Sequence, residues 1–143
     1  MEDLSLHVLD IAENSIAAGA DRLRIDVERN EREGMLFIVM EDNGSGMDDR
    51  TLKACRDPFF STRPGKRIGL GIPLLAQAAR ESGGSFTIRS VPGEGTLLRA
   101  GFSLTHPDRK PLGDMEKTVY VLQMTHPEIR IDYTSRTVPR PGA

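Results

Sequence analysis

An unbroken apolar run, Met35-Leu36-Phe37-Ile38-Val39-Met40, leads straight into Glu41-Asp42-Asn43-Gly44-Ser45-Gly46. A run of that length closed by a glycine-rich turn reads as a buried strand. Just upstream, Leu23, Ile25 and Val27 alternate with Arg24, Asp26 and Glu28, the period-two pattern of a half-exposed strand. The polar stretch from Asn30 to Gly34 separates the two runs, so strands at 22–29 and 35–41 are predicted to pair as a hairpin. Residues 3 to 18 show helical spacing instead, with Leu4, Val8, Ile11 and Ser15 on one stripe and Ala18-Gly19-Ala20 at the end.

Beyond the hairpin, residues 43 to 69 carry no sustained periodicity, and only a short helix near Arg50 to Cys55 is expected there. A second helix is predicted from Gly71 to Ser82. Pro73 suits its first turn, where a missing N–H costs little, and Gly83-Gly84 supplies the stop. Strands at Ser85 to Val91 and Thr96 to Leu104 follow, joined by Pro92-Gly93-Glu94-Gly95. This order of elements suggests an α+β two-layer sandwich, a mixed sheet with helices on one face. Residues 1–106 form that unit. Residues 107–114 read as a linker into a C-terminal extension, 107–143. Its two short strands are expected at Thr118–Met124 and Glu128–Tyr133, with a frayed end from Thr137 onward.

Composition narrows the chemistry. The 143 residues carry a net charge of −2, no tryptophan and no basic block, which argues against a nucleic-acid partner. No stretch approaches the roughly 20 apolar residues of a membrane helix. The acidic start Met1-Glu2-Asp3 lacks a secretory n-region, so a cytoplasmic location is expected. The lone Cys55 excludes an internal disulfide framework and a multi-cysteine metal site; a small reduced thiol is its expected role.

Two glycine motifs carry the chemical signal of the chain. A strand that ends in an acidic residue and two glycines can seat a base against backbone. A second glycine turn, Gly69-Leu70-Gly71, opens a helix and can hold phosphates there. Asp10 and Asn14 lie one turn apart on one helix face, and Asn14 could bring in a metal ion. The combination points to a nucleotide. It is not a Walker A loop, because no Gly-Lys-Ser/Thr follows, and it is not a Rossmann fingerprint, because Leu74 stands at the third glycine position.

Taken in order, these boxes resemble the GHKL, or Bergerat-fold, ATPase domain. That group includes histidine kinases, anti-sigma serine kinases, Hsp90 chaperones and MutL mismatch-repair proteins. The similarity runs from about residue 4 to residue 104. Leu9-Asp10-Ile11-Ala12-Glu13-Asn14-Ser15 resembles the N box, which implies Mg²⁺ ligation by Asn14 and places Asp10 where many members carry a catalytic glutamate. Asp10 is one methylene shorter, and Ala17 stands where many histidine kinases have a basic residue. Asp42-Asn43-Gly44-Ser45-Gly46 is similar to the first glycine box, in which Asp42 would accept from the N6 amine of adenine and Gly44 and Gly46 would admit the base. Asp57-Pro58-Phe59-Phe60-Ser61-Thr62-Arg63 resembles a kinase F box. It implies that Phe59 anchors a short ATP lid while Thr62 and Arg63 face the terminal phosphate. Gly69, Leu70 and Gly71 match the second glycine box, and Thr96 the last box, near adenine.

The resemblance therefore implies ATP and Mg²⁺ as ligands. It implies a stand-alone protein kinase that passes the γ-phosphoryl group to a serine or histidine of a partner protein. The second expectation is an ATP-dependent conformational switch or interaction module, which the MutL-like wording of the N box favours. A homodimer is a further expectation, with the two C-terminal strands as candidate interface.

Overall fold

The computed structural model describes residues 3–55 and 71–142. Its first helix, α1 (Leu4–Ala17), is capped by Asp3, whose carboxylate accepts from the Leu6 N–H. The predicted hairpin follows as β1 (Arg22–Asn30) and β2 (Met35–Asp42), then the short α2 (Asp49–Cys55). The helix α3 (Gly71–Glu81) precedes a second hairpin of β3 (Ser85–Val91) and β4 (Gly95–Ser103). A helix α4 (Met115–Thr125) and a strand β5 (Arg130–Val138) complete the chain order.

All five strands join one sheet in the order β3-β4-β2-β1-β5. Every pairing is antiparallel except that of β5, which lies parallel to β1 with Leu23 opposite Ile131. The sheet is therefore mixed, as expected. Leu23, Ile25, Val27, Ile38, Met40, Leu98 and Phe102 turn one face of it into the core, where α1, α3 and α4 supply Leu4, Val8, Ile11, Leu75, Ala79, Val119 and Leu122. The other face carries Arg24, Asp26, Glu28, Phe37 and Arg99, with the Arg99 guanidinium 4.1 Å above the Phe37 ring.

The C-terminal extension differs from its expected form. Thr118–Met124, predicted as a strand, lies within α4. Its β-branched residues suit a strand, but Met115, Val119 and Leu122 are the buried ones, and that spacing of four and three is helical. Asp114 fixes the start, accepting from the Lys117 N–H at 2.9 Å. The second predicted strand begins at Arg130 rather than Glu128 and continues to Val138. Thr137 and Val138, expected to fray, are thus part of the sheet. Parallel pairing with β1 sustains them, together with the bond from the Glu31 N–H to the Val138 carbonyl.

Candidate functional site

At the end of β2, the Asp42 carboxylate is held from two sides. The Ser15 hydroxyl, on α1, donates to Oδ2 at 2.7 Å, and the Gly44 N–H donates to Oδ1 at 2.9 Å. These bonds leave lone pairs on each oxygen. Thr96 on β4 lies directly across the sheet from Asp42. Its hydroxyl is 2.7 Å from that of Ser90, which also receives the Met47 N–H at 2.8 Å.

The loop after Asp42 is bolted to its surroundings. Asn43 accepts from the Asp21 and Arg22 N–H groups, both at 3.0 Å. The Ser45 N–H donates to Ala18, and the Ser45 carbonyl receives the Gly93 N–H at 2.7 Å. Gly46 has φ +72°, and a side chain there would run into the Val91 carbonyl, so this position requires glycine on both counts.

Asn14, Asp42, Gly46 and Thr96 converge on one cavity of about 320 Å³. Its walls are mainly apolar, from Ile11, Met40, Ile72 and Leu98, with Met47, Thr51 and Cys55 along one side. A larger hollow, about 430 Å³, opens on the other face of the sheet. That one is lined by mutually paired charges such as Arg24, Asp26, Glu28 and Arg136. The smaller cavity has the character of a small-molecule site, apolar with a few convergent polar groups.

Asp10 and Asn14 are both exposed on α1. Gly71 begins α3 close against this helix: a Cβ there would stand 2.8 Å from Ile11 and 3.1 Å from the Asp10 side chain. Asp10 thus sits beside the start of α3, while Asn14 reaches the cavity itself. Glu13 turns elsewhere, pairing at 3.1 Å with His126, which caps the C-terminus of α4. His7, on the same helix, is 1% exposed and belongs to the core. Phe59, Thr62, Arg63, Gly69 and Leu70 lie outside the described residues.

Ser15, which the N box contains without a role for it, and Ser90, Met47 and Cys55 are further contributors. Ser15 is foreshadowed by its place next to Asn14, since a residue one helical step on can face the sheet. Met47 and Cys55 carry no such signal; they meet because α2 folds back, placing the thiol 3.4 Å from the thioether sulfur. Burial pushes the Cys55 thiol up to about 11, so it is neutral at physiological pH and a wall rather than a nucleophile.

Among known proteins, residues 2–108 match the family model of the histidine kinase-, DNA gyrase B- and HSP90-like ATPases. The sensor protein kinase FleS of Pseudomonas aeruginosa is 39% identical over 90 residues, which is 62% of this chain and 22% of FleS. A putative sensor protein of Shewanella frigidimarina is 35% identical over 59% of this chain and 13% of its own length. Sporulation kinase C of Bacillus subtilis is 29% identical over 64% of this chain and 21% of its length. The matched region is thus a fraction of each of these relatives. Among solved structures, the Aquifex aeolicus MutL ATPase domain complexed with ADP superposes with a TM-score of 0.60 at 15% identity, covering 96% of this chain and 61% of that one. Its fold is the same mixed sheet layered with helices. The chain belongs to the histidine kinase-, DNA gyrase B- and HSP90-like ATPase family.

Proposed function

We propose that this chain binds ATP with Mg²⁺ and passes the γ-phosphoryl group to a serine or histidine of a separate protein. The observation that carries the reading is the Asp42 carboxylate, fixed by Ser15 and Gly44 at the edge of an apolar cavity. Adenine offers a donor, its N6 amine, to such an acceptor. Guanine offers a carbonyl there, which would leave two acceptors facing each other and so select against it. Thr96, opposite Asp42, is suited to a second polar contact with the base. Gly44 and Gly46 keep the backbone close to it, and Gly71 starts the helix whose N-terminus favours phosphate.

The donor set suits magnesium. Among the described residues no three His, Cys, Asp or Glu side chains are grouped to hold a metal alone. A hard cation satisfied by one amide oxygen, phosphate oxygens and waters fits the exposed Asn14 at the cavity. Bound there, the ion would neutralise charge on the phosphates. Asp10, beside the first turn of α3, would orient an incoming hydroxyl or imidazole. Phe59, Thr62, Arg63, Gly69 and Leu70 complete the proposal as lid and phosphate contacts.

A second reading, an ATP-dependent switch without kinase activity, draws on the Glu13–His126 pair. This contact links α4 to the helix turn that carries Asn14, so ligand at Asn14 can be felt in the C-terminal elements. Calorimetry with ATP and Mg²⁺ tests binding: wild type should bind, and Asp42→Asn should lose detectable heat. No binding of ATP, ADP or analogues by wild type sinks both readings. Incubation with γ-labelled ATP and candidate partner proteins separates them, since label on a protein supports the kinase and free phosphate or none supports the switch.

A further inference from the structure

The strand β5 ends the sheet, and among the described residues nothing pairs with its outer edge. Its inner edge is assigned by two bonds to the β1 side: the Arg130 N–H donates to Asp21, and the Val138 carbonyl accepts from Glu31, each at 2.8 Å. Main-chain groups alternate along a strand. Even-numbered residues therefore face β1, while Ile131, Tyr133, Ser135 and Thr137 offer theirs outward. The edge is long, unbulged and free of proline through Val138. Natural sheets normally protect such an edge.

We propose that this edge pairs with β5 of a second copy of the chain, antiparallel about a two-fold axis at Thr134, making one continuous sheet across the dimer. In that register Ile131 meets Thr137 and Tyr133 meets Ser135, so every outward residue finds an outward residue and each pair exchanges both bonds. The intervening positions are the closer, non-hydrogen-bonded pairs. There Asp132 faces Arg136 of the other copy and, by symmetry, Arg136 faces Asp132. Both side chains stand on the open face of the sheet and are exposed, and opposite charges placed directly across from each other are stabilising, whereas like charges are not.

The neighbouring registers are poorer. Moving the axis to Tyr133 sets Arg130 against Arg136, and moving it to Ser135 leaves Asp132 against Val138. Centring on Asp132 or Arg136 sets a charge against itself. The charges of β5 therefore specify one register as well as permitting it. The opposite edge strand, β3, has Arg89 as its sole charge and offers no such complement. Arg136 already binds Glu28 at 2.7 Å and Asp132 binds Arg130 at 3.2 Å. A guanidinium has five donors and can serve Glu28 and the second copy together.

Sedimentation of the chain without nucleotide, from about 1 to about 300 µM, should show a monomer–dimer equilibrium with a dissociation constant on the order of 10 µM, as a small edge interface allows. Asp132→Arg and Arg136→Asp should each weaken the dimer about tenfold or more, and the double swap should restore it. Ser135→Pro should abolish it while leaving the β1 pairing intact, because its N–H points outward. Thr134→Cys should cross-link to itself under mild oxidation. That last variant decides the matter should the others fold poorly. A monomer throughout the range with no Thr134→Cys cross-link overturns the proposal. So does a dimer that survives both charge reversals or gains nothing from the swap.

Discussion

The Asp42 carboxylate takes an orientation it does not set alone. The Ser15 hydroxyl has one proton and two acceptors in reach, Asp42 at 2.7 Å and the Ile11 carbonyl at 3.1 Å. The shorter, charge-assisted bond is the stronger of the two. Ser15→Ala would leave the carboxylate with one protein donor and freer to turn, at a cost of roughly 1–2 kcal/mol. ATP should then bind about five- to thirtyfold more weakly in calorimetry, where Asp42→Asn should lose binding altogether. Unchanged affinity in Ser15→Ala would show that Gly44 alone holds the carboxylate. Cys55 provides a separate check on the same cavity. With its thiol raised to about 11 from an ordinary 9.0, alkylation at pH 8 should run about a hundredfold slower than for the unfolded chain from thiolate content alone. Modification at the unfolded rate would mean that the α2 wall is open in solution.

At the scale of elements, what the sequence made legible follows from how local each signal is. The β1–β2 hairpin, α1 and α3 announce themselves within a few residues through alternation, an apolar stripe, a proline in the first turn and paired glycines. So does the acidic glycine turn that places Asp42. The helix α4 was hidden because Thr118, Val119, Val121 and Thr125 favour strands locally, while the tertiary contacts of Val119 and Leu122 with the core decide the outcome. The side wall of the cavity was hidden for a similar reason, since Met47 and Cys55 meet only once α2 folds. The helix makes a clear prediction. Leu122→Ala should destabilise by about 2–5 kcal/mol and Asp114→Ala by about 1 kcal/mol in urea unfolding. Tyr120→Ala, at a position 63% exposed, should leave stability within about 0.5 kcal/mol. Equal effects at Tyr120 and Leu122 would contradict the helical register.

The whole molecule depends on pairing two strands far apart in the chain. β1 takes β5 as a parallel neighbour from more than a hundred residues away, with Thr134 donating to Asp26 and Arg136 donating to Glu28. No local pattern encodes such a partner, because only the assembled sheet brings the registers together. Glu28 is the ionisable member of this seam. Bonds from Asn30 and then Arg136, aided by the charges of Arg136 and Arg99, hold its carboxyl below the ordinary 4.5. A carboxylate lowered in the folded state contributes stability that is fully present above its unfolded value and lost as pH falls through the folded one. Wild type should therefore be less stable in urea as pH drops below about 4.5, and Glu28→Gln should be weaker than wild type at pH 7. The gap between the two should close as pH approaches the acid limit, because protonation removes from wild type the charge that the substitution removes at every pH. A gap that stays constant across the titration would show that Glu28 holds the seam by shape rather than by charge.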